Sequence, residues 1–232
     1  MKKIGIIGGL GPESTLDYYK GIIDAFKPSY NDSGFPEIVI ESLDLKSFVE
    51  RGMSGDWIAI TDILSARFNA MQRSGAEFGV IASNTPHRVF DEVQSKTTLP
   101  LISIVDACCD YAKHKGIESV CLLGTGFTMR ADFYKTKLSA RGIETVVPRE
   151  DDIDYIQEKL YTEIELGIIR PETKRGILEI IERIGSSEGV QGVILGCTEL
   201  PMIIKPDDID LEYINTTQIH IDAIVKHCIG AE

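Results

Sequence analysis

The stretch VILGCTEL, residues 193–200, places a thiol, a hydroxyl and a carboxylate at consecutive positions after an apolar run and a glycine. Cys197, Thr198 and Glu199 therefore stand where a buried strand would end. A second stretch, VIASNTPH at 80–87, ends in the same manner with Ser83, Asn84 and Thr85. A cysteine thiol has a free pKa of about 8.5, and helix N-termini or cations lower it, so a thiol in such a turn can move a proton at neutral pH. Removing a proton from carbon beside a carboxylate needs a base on one face, and inversion needs an acid on the other. Asn84, Thr85 and Thr198, with adjacent backbone N–H groups, suit a substrate carboxylate and the charge that grows on it as the α-proton leaves. Thr125 and Thr128, in the turn GTGFT, offer hydroxyls at a further strand end.

Each of these residue types also has a plainer use. Free cysteine is among the most buried residue types and is commonly inert there. Serine at a strand-to-helix turn caps the helix as readily as it does chemistry, and Asn84 and Thr85 are also turn formers. Glu199 either orients an ammonium group or occupies a first helical turn. Cys121 inside VCLLG, Cys228 on a stripe with Ile221, Ile224 and Val225, and the pair Cys108 and Cys109 read as core packing.

Short apolar runs alternate with helical patterns along most of the chain. Strands are predicted near Lys3–Ile7, Ile38–Leu43, Phe78–Ala82, Leu101–Val105, Ser119–Leu123, Ile143–Val147, Gly192–Gly196 and Glu212–Ile214. Most lack polar alternation, as parallel strands covered on both faces do. Pro12 and Glu13 open a helix whose Leu16, Tyr19, Ile23 and Phe26 recur at helical spacing. A second helix sets Ile60, Ile63, Leu64, Phe68 and Met71 on one face and stops at Gly75. The acidic run at 149–154, REDDID, suits a solvated helix start. The pattern is α/β. KIGIIGGLGPEST resembles SVCLLGTGFTMRA, VIASNTPH resembles VILGCTEL, and LPLISIVDA resembles LEYINTTQIHIDA, all about half a chain apart. Two related halves are expected, 1–116 and 117–215, with the last helix, 216–232, available to pack on the first half. Ligands of parallel α/β sheets lie outside the carboxyl ends of the strands, so Ser83 and Cys197 are expected to face one cleft.

A chain of 232 residues with 43% hydrophobic content can bury a substantial core, and its net charge of −12 argues against nucleic acid or an anionic membrane as main partner. No apolar run approaches a membrane span or a signal peptide, so the expected compartment is the cytoplasm. Five cysteines and four histidines, with no Cys-x-x-Cys, suggest neither a disulfide framework nor a metal site. The GGLGP turn lacks the third glycine of a dinucleotide fingerprint; Gly9 and Gly11 instead allow backbone to approach a ligand closely.

Taken together, SNTPH, GCTEL, GIIGGLGPEST, LLGTGFT and TTQIH resemble the cofactor-independent aspartate/glutamate racemase family, in its aspartate racemase branch, over nearly the whole chain. The resemblance implies two pseudo-symmetric flavodoxin-like domains with parallel sheets and a shared interdomain cleft, no cofactor and no metal, a small acidic amino-acid substrate, and a homodimer. It implies Cys197 as one catalytic position and Ser83 as the other, where cysteine is usual. Serine is a poor base unless a neighbour activates it, so catalysis is expected to be one-sided or stereochemically biased. Related aspartate racemases often carry a lysine in the segment matching YTEIELG, whereas this chain has Glu165 and Leu166 there; Lys46 or Arg51 is the alternative cation. The alternatives are another reaction next to a carboxylate, of maleate isomerase or decarboxylase type, a catalytically impaired amino-acid binder, and, weakest, a nucleotide-binding module.

Overall fold

The computed structural model describes residues 1–29, 31 and 34–230. The chain divides into two compact units, Met1–Ala107 with Thr217–Glu232, and Cys108–Thr216. Each contains a four-stranded sheet in which every pairing is parallel.

In the first unit β1 (Ile4–Gly8), β2 (Ile38–Ser42), β3 (Phe78–Ile81) and β4 (Leu101–Ile102) lie in the order β2-β1-β3-β4. Its helices are α1 (Pro12–Phe26), α2 (Leu45–Ser54), α3 (Trp57–Arg73) and α4 (Phe90–Ser95), followed by α5 (Ile104–His114), which runs into the second unit. There, β5 (Ser119–Leu123), α6 (Gly126–Arg130), α7 (Phe133–Ser139), β6 (Glu144–Val146), α8 (Glu150–Thr162), α9 (Pro171–Glu188), β7 (Gly192–Leu195), α10 (Leu200–Ile203) and β8 (Glu212–Asn215) follow. The strand order is β6-β5-β7-β8, the same winding as the first sheet. The last helix, α11 (Thr216–Ile229), returns to the first unit from Thr217 on.

Both faces of the central strands are covered, which is why these strands lack polar alternation. Ile4 and Ile6 of β1 pack with Tyr18, Ile22 and Phe26 of α1 and with Ile221, Ile224 and Cys228 of α11. Ile7 and Ile81 face the other way, onto Ile60, Leu64, Phe68 and Met71 of α3. Gly79 has no side chain on that face because the Phe68 ring already fills the space; a Cβ there would meet its Cε1 at 2.5 Å. In the second unit Cys121, Leu123, Val193 and Leu195 pack on Ile153, Ile156 and Leu160 of α8 and Ile177, Ile181 and Ile184 of α9.

Three sequence expectations need correction. The spacing Leu16, Tyr19, Ile23 does not mark the buried face of α1: Leu16 and Tyr19 are 61% and 47% exposed, and the helix buries Ser14, Thr15, Tyr18, Ile22 and Phe26. At its start α1 lies against the ends of β1 and β3, where Thr15 covers Gly8 and the Ser14 hydroxyl donates to the Ala82 carbonyl at 2.8 Å. So close an approach admits small polar side chains and no leucine. The strand expected over Leu101–Val105 stops at Ile102, because the Ser103 hydroxyl accepts the Asp106 N–H at 3.1 Å and starts α5. The division expected at Ile117 falls between Ala107 and Cys108, inside α5.

A buried polar chain crosses the first unit. The Tyr18 hydroxyl donates to His220 Nδ1 at 2.7 Å, and His220 Nε2–H donates to the Ile102 carbonyl at 3.0 Å. A carbonyl can only accept, so this pairing assigns the tautomer. Both residues are fully buried. Burial, with His87 adding to it, pulls His220 down to about 3. The unfolded imidazole, at about 6.5, binds a proton that the folded one refuses, so the stability His220 contributes is present above pH 6.5 and is lost as pH falls toward 3. In denaturant titrations at pH 8 and pH 5, His220→Gln is expected to lose on the order of 2 kcal/mol less on acidification than the wild type. Equal losses would show that another group carries the acid sensitivity.

Candidate functional site

In each sheet the chain leaves the first strand toward one edge and returns past it to the third. Successive connections therefore part in opposite directions at the ends of β1 and β3, and again at β5 and β7, which is where open parallel sheets leave room for a ligand. The turns that open there are those that carry the candidate residues.

At the end of β7, the Gly196 N–H donates to the Leu123 carbonyl of β5 at 2.6 Å. A Cβ at 196 would stand 2.8 Å from the same oxygen, so the residue before the thiol must be glycine. The chain then turns through Cys197, Thr198 and Glu199 into α10. Cys197 is 6% exposed, and its Sγ donates to Glu199 Oε2 at 3.0 Å. The Thr198 hydroxyl donates to the same oxygen at 2.7 Å. Burial pushes the Cys197 thiol well above its ordinary range, and the charges of Glu199 and Glu165 push it in the same direction. This reverses the expectation of a thiol lowered by a helix terminus. The physical reason is plain: α10 spans only Leu200–Ile203, and a carboxylate, not a cation, faces the sulfur.

Glu165 lies in a single 3-10 turn, Ile164–Leu166, that packs on α10; Ile164 shares a core with Leu200 and Ile203. Part of the residue is exposed, yet its carboxyl is desolvated, and this, followed by the charge of Glu199, raises it to about 7. Among the described residues no cation pairs with Glu165, whereas its neighbour Glu163 is held by Lys159, Arg170 and Thr173.

Thr125 and Thr128 serve local structure. The Thr125 hydroxyl caps α6 by accepting the Thr128 N–H at 3.2 Å, and the fully buried Thr128 packs over Gly124 and Gly196. Thr198 and Glu199, by contrast, are half-buried beside the thiol.

In the first unit, Ser83 is half-buried after β3, and among the described residues no group hydrogen-bonds its hydroxyl. It does not cap the following 3-10 turn, Thr85–Val89, whose N-cap is Asn84. Asn84 is 4% exposed and Thr85 half-buried. The backbone on either side is anchored by side chains: Ser14 holds the Ala82 carbonyl, and His87 Nδ1 donates to the Ser83 carbonyl at 2.9 Å. Its Nε2 accepts the Ile104 N–H at 3.2 Å. Both ring nitrogens of His87 are thus occupied, and the imidazole is no base for Ser83.

The GGLGP turn faces the same strand end. Gly9 has a φ of 82°, and its N–H is taken by Thr15 Oγ1 at 2.8 Å, so this glycine shapes the turn and does not present a free amide. Gly11, at φ 46°, sits immediately before α1. The two cations proposed for a distal carboxylate lie on α2, a helix with no fully buried residue. The Lys46 side chain is 83% exposed and 3.9 Å from Glu50. Arg51 pairs with Asp56 at 3.4 Å, and its Nε is buried without a hydrogen-bond partner. Sequence reasoning missed Ser14, which nothing but its place in GLGPEST could have signalled, and left Glu199 undecided although it lies two residues from the thiol.

The family model described as Asp/Glu/Hydantoin racemase matches residues 7–224. A solved structure of an aspartate racemase homologue from Pyrococcus horikoshii is 39% identical, covers 99% of this chain and 100% of its own, and superposes with a TM-score of 0.88. A structure from Yersinia pestis, provisionally described as an Asp/Glu racemase, is 33% identical over 99% of this chain and 100% of its own, with a TM-score of 0.93. The broad specificity amino-acid racemase RacX of Bacillus subtilis is 27% identical over 146 residues, 62% of this chain and 63% of that protein. This last match therefore spans under two thirds of the relative's length.

The geometry around the sulfur makes a direct prediction. If like charge from Glu199 holds the thiol protonated, Glu199→Gln lowers the pH midpoint of Cys197 alkylation by iodoacetamide, followed on the isolated peptide by mass spectrometry. A midpoint that is unchanged or higher in the variant would show that the charge of Glu199 does not hold the thiol protonated.

Proposed function

The chain belongs to the Asp/Glu/hydantoin racemase family, and on that premise we propose that it is an amino-acid racemase that exchanges the Cα proton without pyridoxal phosphate or metal. The observation that carries this is the hydrogen-bonded set Cys197, Thr198 and Glu199 at the end of β7. Cys197 serves as acid/base on one face of Cα, and Ser83 takes the other. Asn84, Thr85 and Thr198 bind the α-carboxylate and stabilise the charge that forms on it.

The raised thiol fits this role. A zwitterionic substrate brings an ammonium group into a region where Glu199 and Glu165 hold negative charge, and that cation offsets the repulsion that keeps Cys197 protonated. Glu199, already the acceptor of the Sγ–H, takes the proton as the thiolate forms. The thiolate then removes the Cα proton; returning it to the same face restores the substrate, whereas a proton delivered from the Ser83 face inverts it. The enantiomers are equal in free energy, so kcat/KM must be the same in both directions. A weak base at Ser83 therefore slows inversion both ways and leaves exchange on the Cys197 face running ahead of it.

Aspartate and glutamate are the substrates implied by the family resemblance. Glu165 favours a second reading, a substrate with a neutral or cationic side chain, because a distal carboxylate there would add a further acidic group where Glu165 is already raised to about 7 by desolvation and the charge of Glu199. The enzyme is tested by incubating it in D2O with both enantiomers of aspartate, glutamate, alanine and lysine, following Cα deuterium by NMR and chirality by chromatography. Deuterium is expected to enter one enantiomer faster than inversion occurs, Ser83→Cys is expected to raise inversion, and Cys197→Ala to abolish exchange. Undiminished exchange in Cys197→Ala would remove the thiol from the mechanism. Within the same panel, Glu165→Lys is expected to shift kcat/KM toward aspartate or glutamate by about tenfold; no shift would remove Glu165 from side-chain selection.

A further inference from the structure

The motif SNTPH contains a backbone problem that its last residue solves. After β3 the chain enters the 3-10 turn Thr85–Val89, in which a carbonyl is ordinarily satisfied by the N–H three residues on. For Ser83 that residue is Pro86, which has no N–H. The next amide, that of His87, is already given to the Asn84 carbonyl at 3.0 Å. The Ser83 carbonyl would therefore lack a donor, and the His87 ring supplies it through Nδ1–H at 2.9 Å. The opposite nitrogen, Nε2, accepts the Ile104 N–H at 3.2 Å where α5 begins. Ser83 O can only accept and Ile104 N–H can only donate, so the ring is held as the Nδ1–H tautomer. It is 4% exposed and lies parallel to Phe90, with ring centroids 5.1 Å apart and planes within 8°. The edge of His220 closes another side at 6.2 Å.

We propose that His87 is a positioning residue, which ties the peptide carrying Ser83 to the start of α5 and so sets the direction of the Ser83 hydroxyl, which no described residue hydrogen-bonds. It touches no reacting atom; it acts by fixing the carbonyl of the residue that does. This rests on the racemase reading, since it gives Ser83 a reacting face.

Two substitutions separate the arms of the ring. His87→Asn keeps a donor near Nδ1, and His87→Gln keeps an acceptor near Nε2. The readouts are inversion and Cys197-face deuterium exchange on the same substrate, with thermal melting as a check on folding and the ring 15N shifts of the wild type as a check on the tautomer. The expected result is an Nδ1–H ring, inversion reduced about tenfold to a hundredfold in His87→Gln with Cys197-face exchange within about twofold of wild type, and inversion largely retained in His87→Asn. Inversion and exchange falling together, or undiminished inversion in His87→Gln, would overturn the positioning role. An Nε2–H or doubly protonated ring in the folded wild type would overturn it even if no panel substrate turns over, whereas absence of all exchange with an Nδ1–H ring would count against the racemase assignment and leave the clamp standing.

Discussion

A central parallel strand runs out of ladder partners at its carboxyl end, and a backbone carbonyl left there away from water costs about 1–3 kcal/mol. This constraint organises both candidate turns. In the first unit Ser14 takes the Ala82 carbonyl and His87 the next one along. In the second, Thr216 donates to the Leu195 carbonyl at 2.8 Å and the Gly196 N–H takes that of Leu123. Once the strand ends are tied down by their own neighbours, the side chains that follow are released from backbone duty. Ser83 shows this most clearly, since its carbonyl is held and, among the described residues, its hydroxyl is not.

The electrostatics of the two turns differ although their winding is the same. Around Cys197 the field is negative, with Glu199 bonded to the thiol and Glu165 behind the adjoining turn. Around Ser83 the nearest ring is a neutral, fully committed imidazole. A thiol buried next to carboxylates rests protonated, and a cation brought beside it would favour its ionisation. In the first unit, no carboxylate hydrogen-bonds the Ser83 hydroxyl among the described residues. A duplicated scaffold thus presents two chemically unequal ends.

Much of this was legible in the chain itself. The strands over 38–42, 78–81, 119–123 and 192–195 follow from apolar runs bounded by turn residues, and the VIASNTPH and VILGCTEL pairing placed the candidate turns at equivalent strand ends. The buried face of α1 was not legible, because Leu16 and Tyr19 outweigh Ser14 and Thr15 in any hydrophobic count. What decides that face is a close approach to Gly8, which depends on a strand partner far away in sequence. Nor could the chain reveal that the Thr125 hydroxyl accepts the Thr128 N–H as a helix cap, since a hydroxyl near a strand end reads the same whether it faces ligand or backbone.

By itself, then, the sequence determined the α/β winding, the duplication, the family and the residues at the two strand ends, because these depend on local periodicity and on short motifs. The tertiary structure alone decided the state of the groups. It showed that Cys197 is raised rather than lowered, that desolvation and then the charge of Glu199 raise Glu165, and that His87 serves the Ser83 carbonyl and not its hydroxyl. Charge interactions and hydrogen-bond geometry depend on distances between side chains and on the water excluded around them, and these come into being only when the chain has folded.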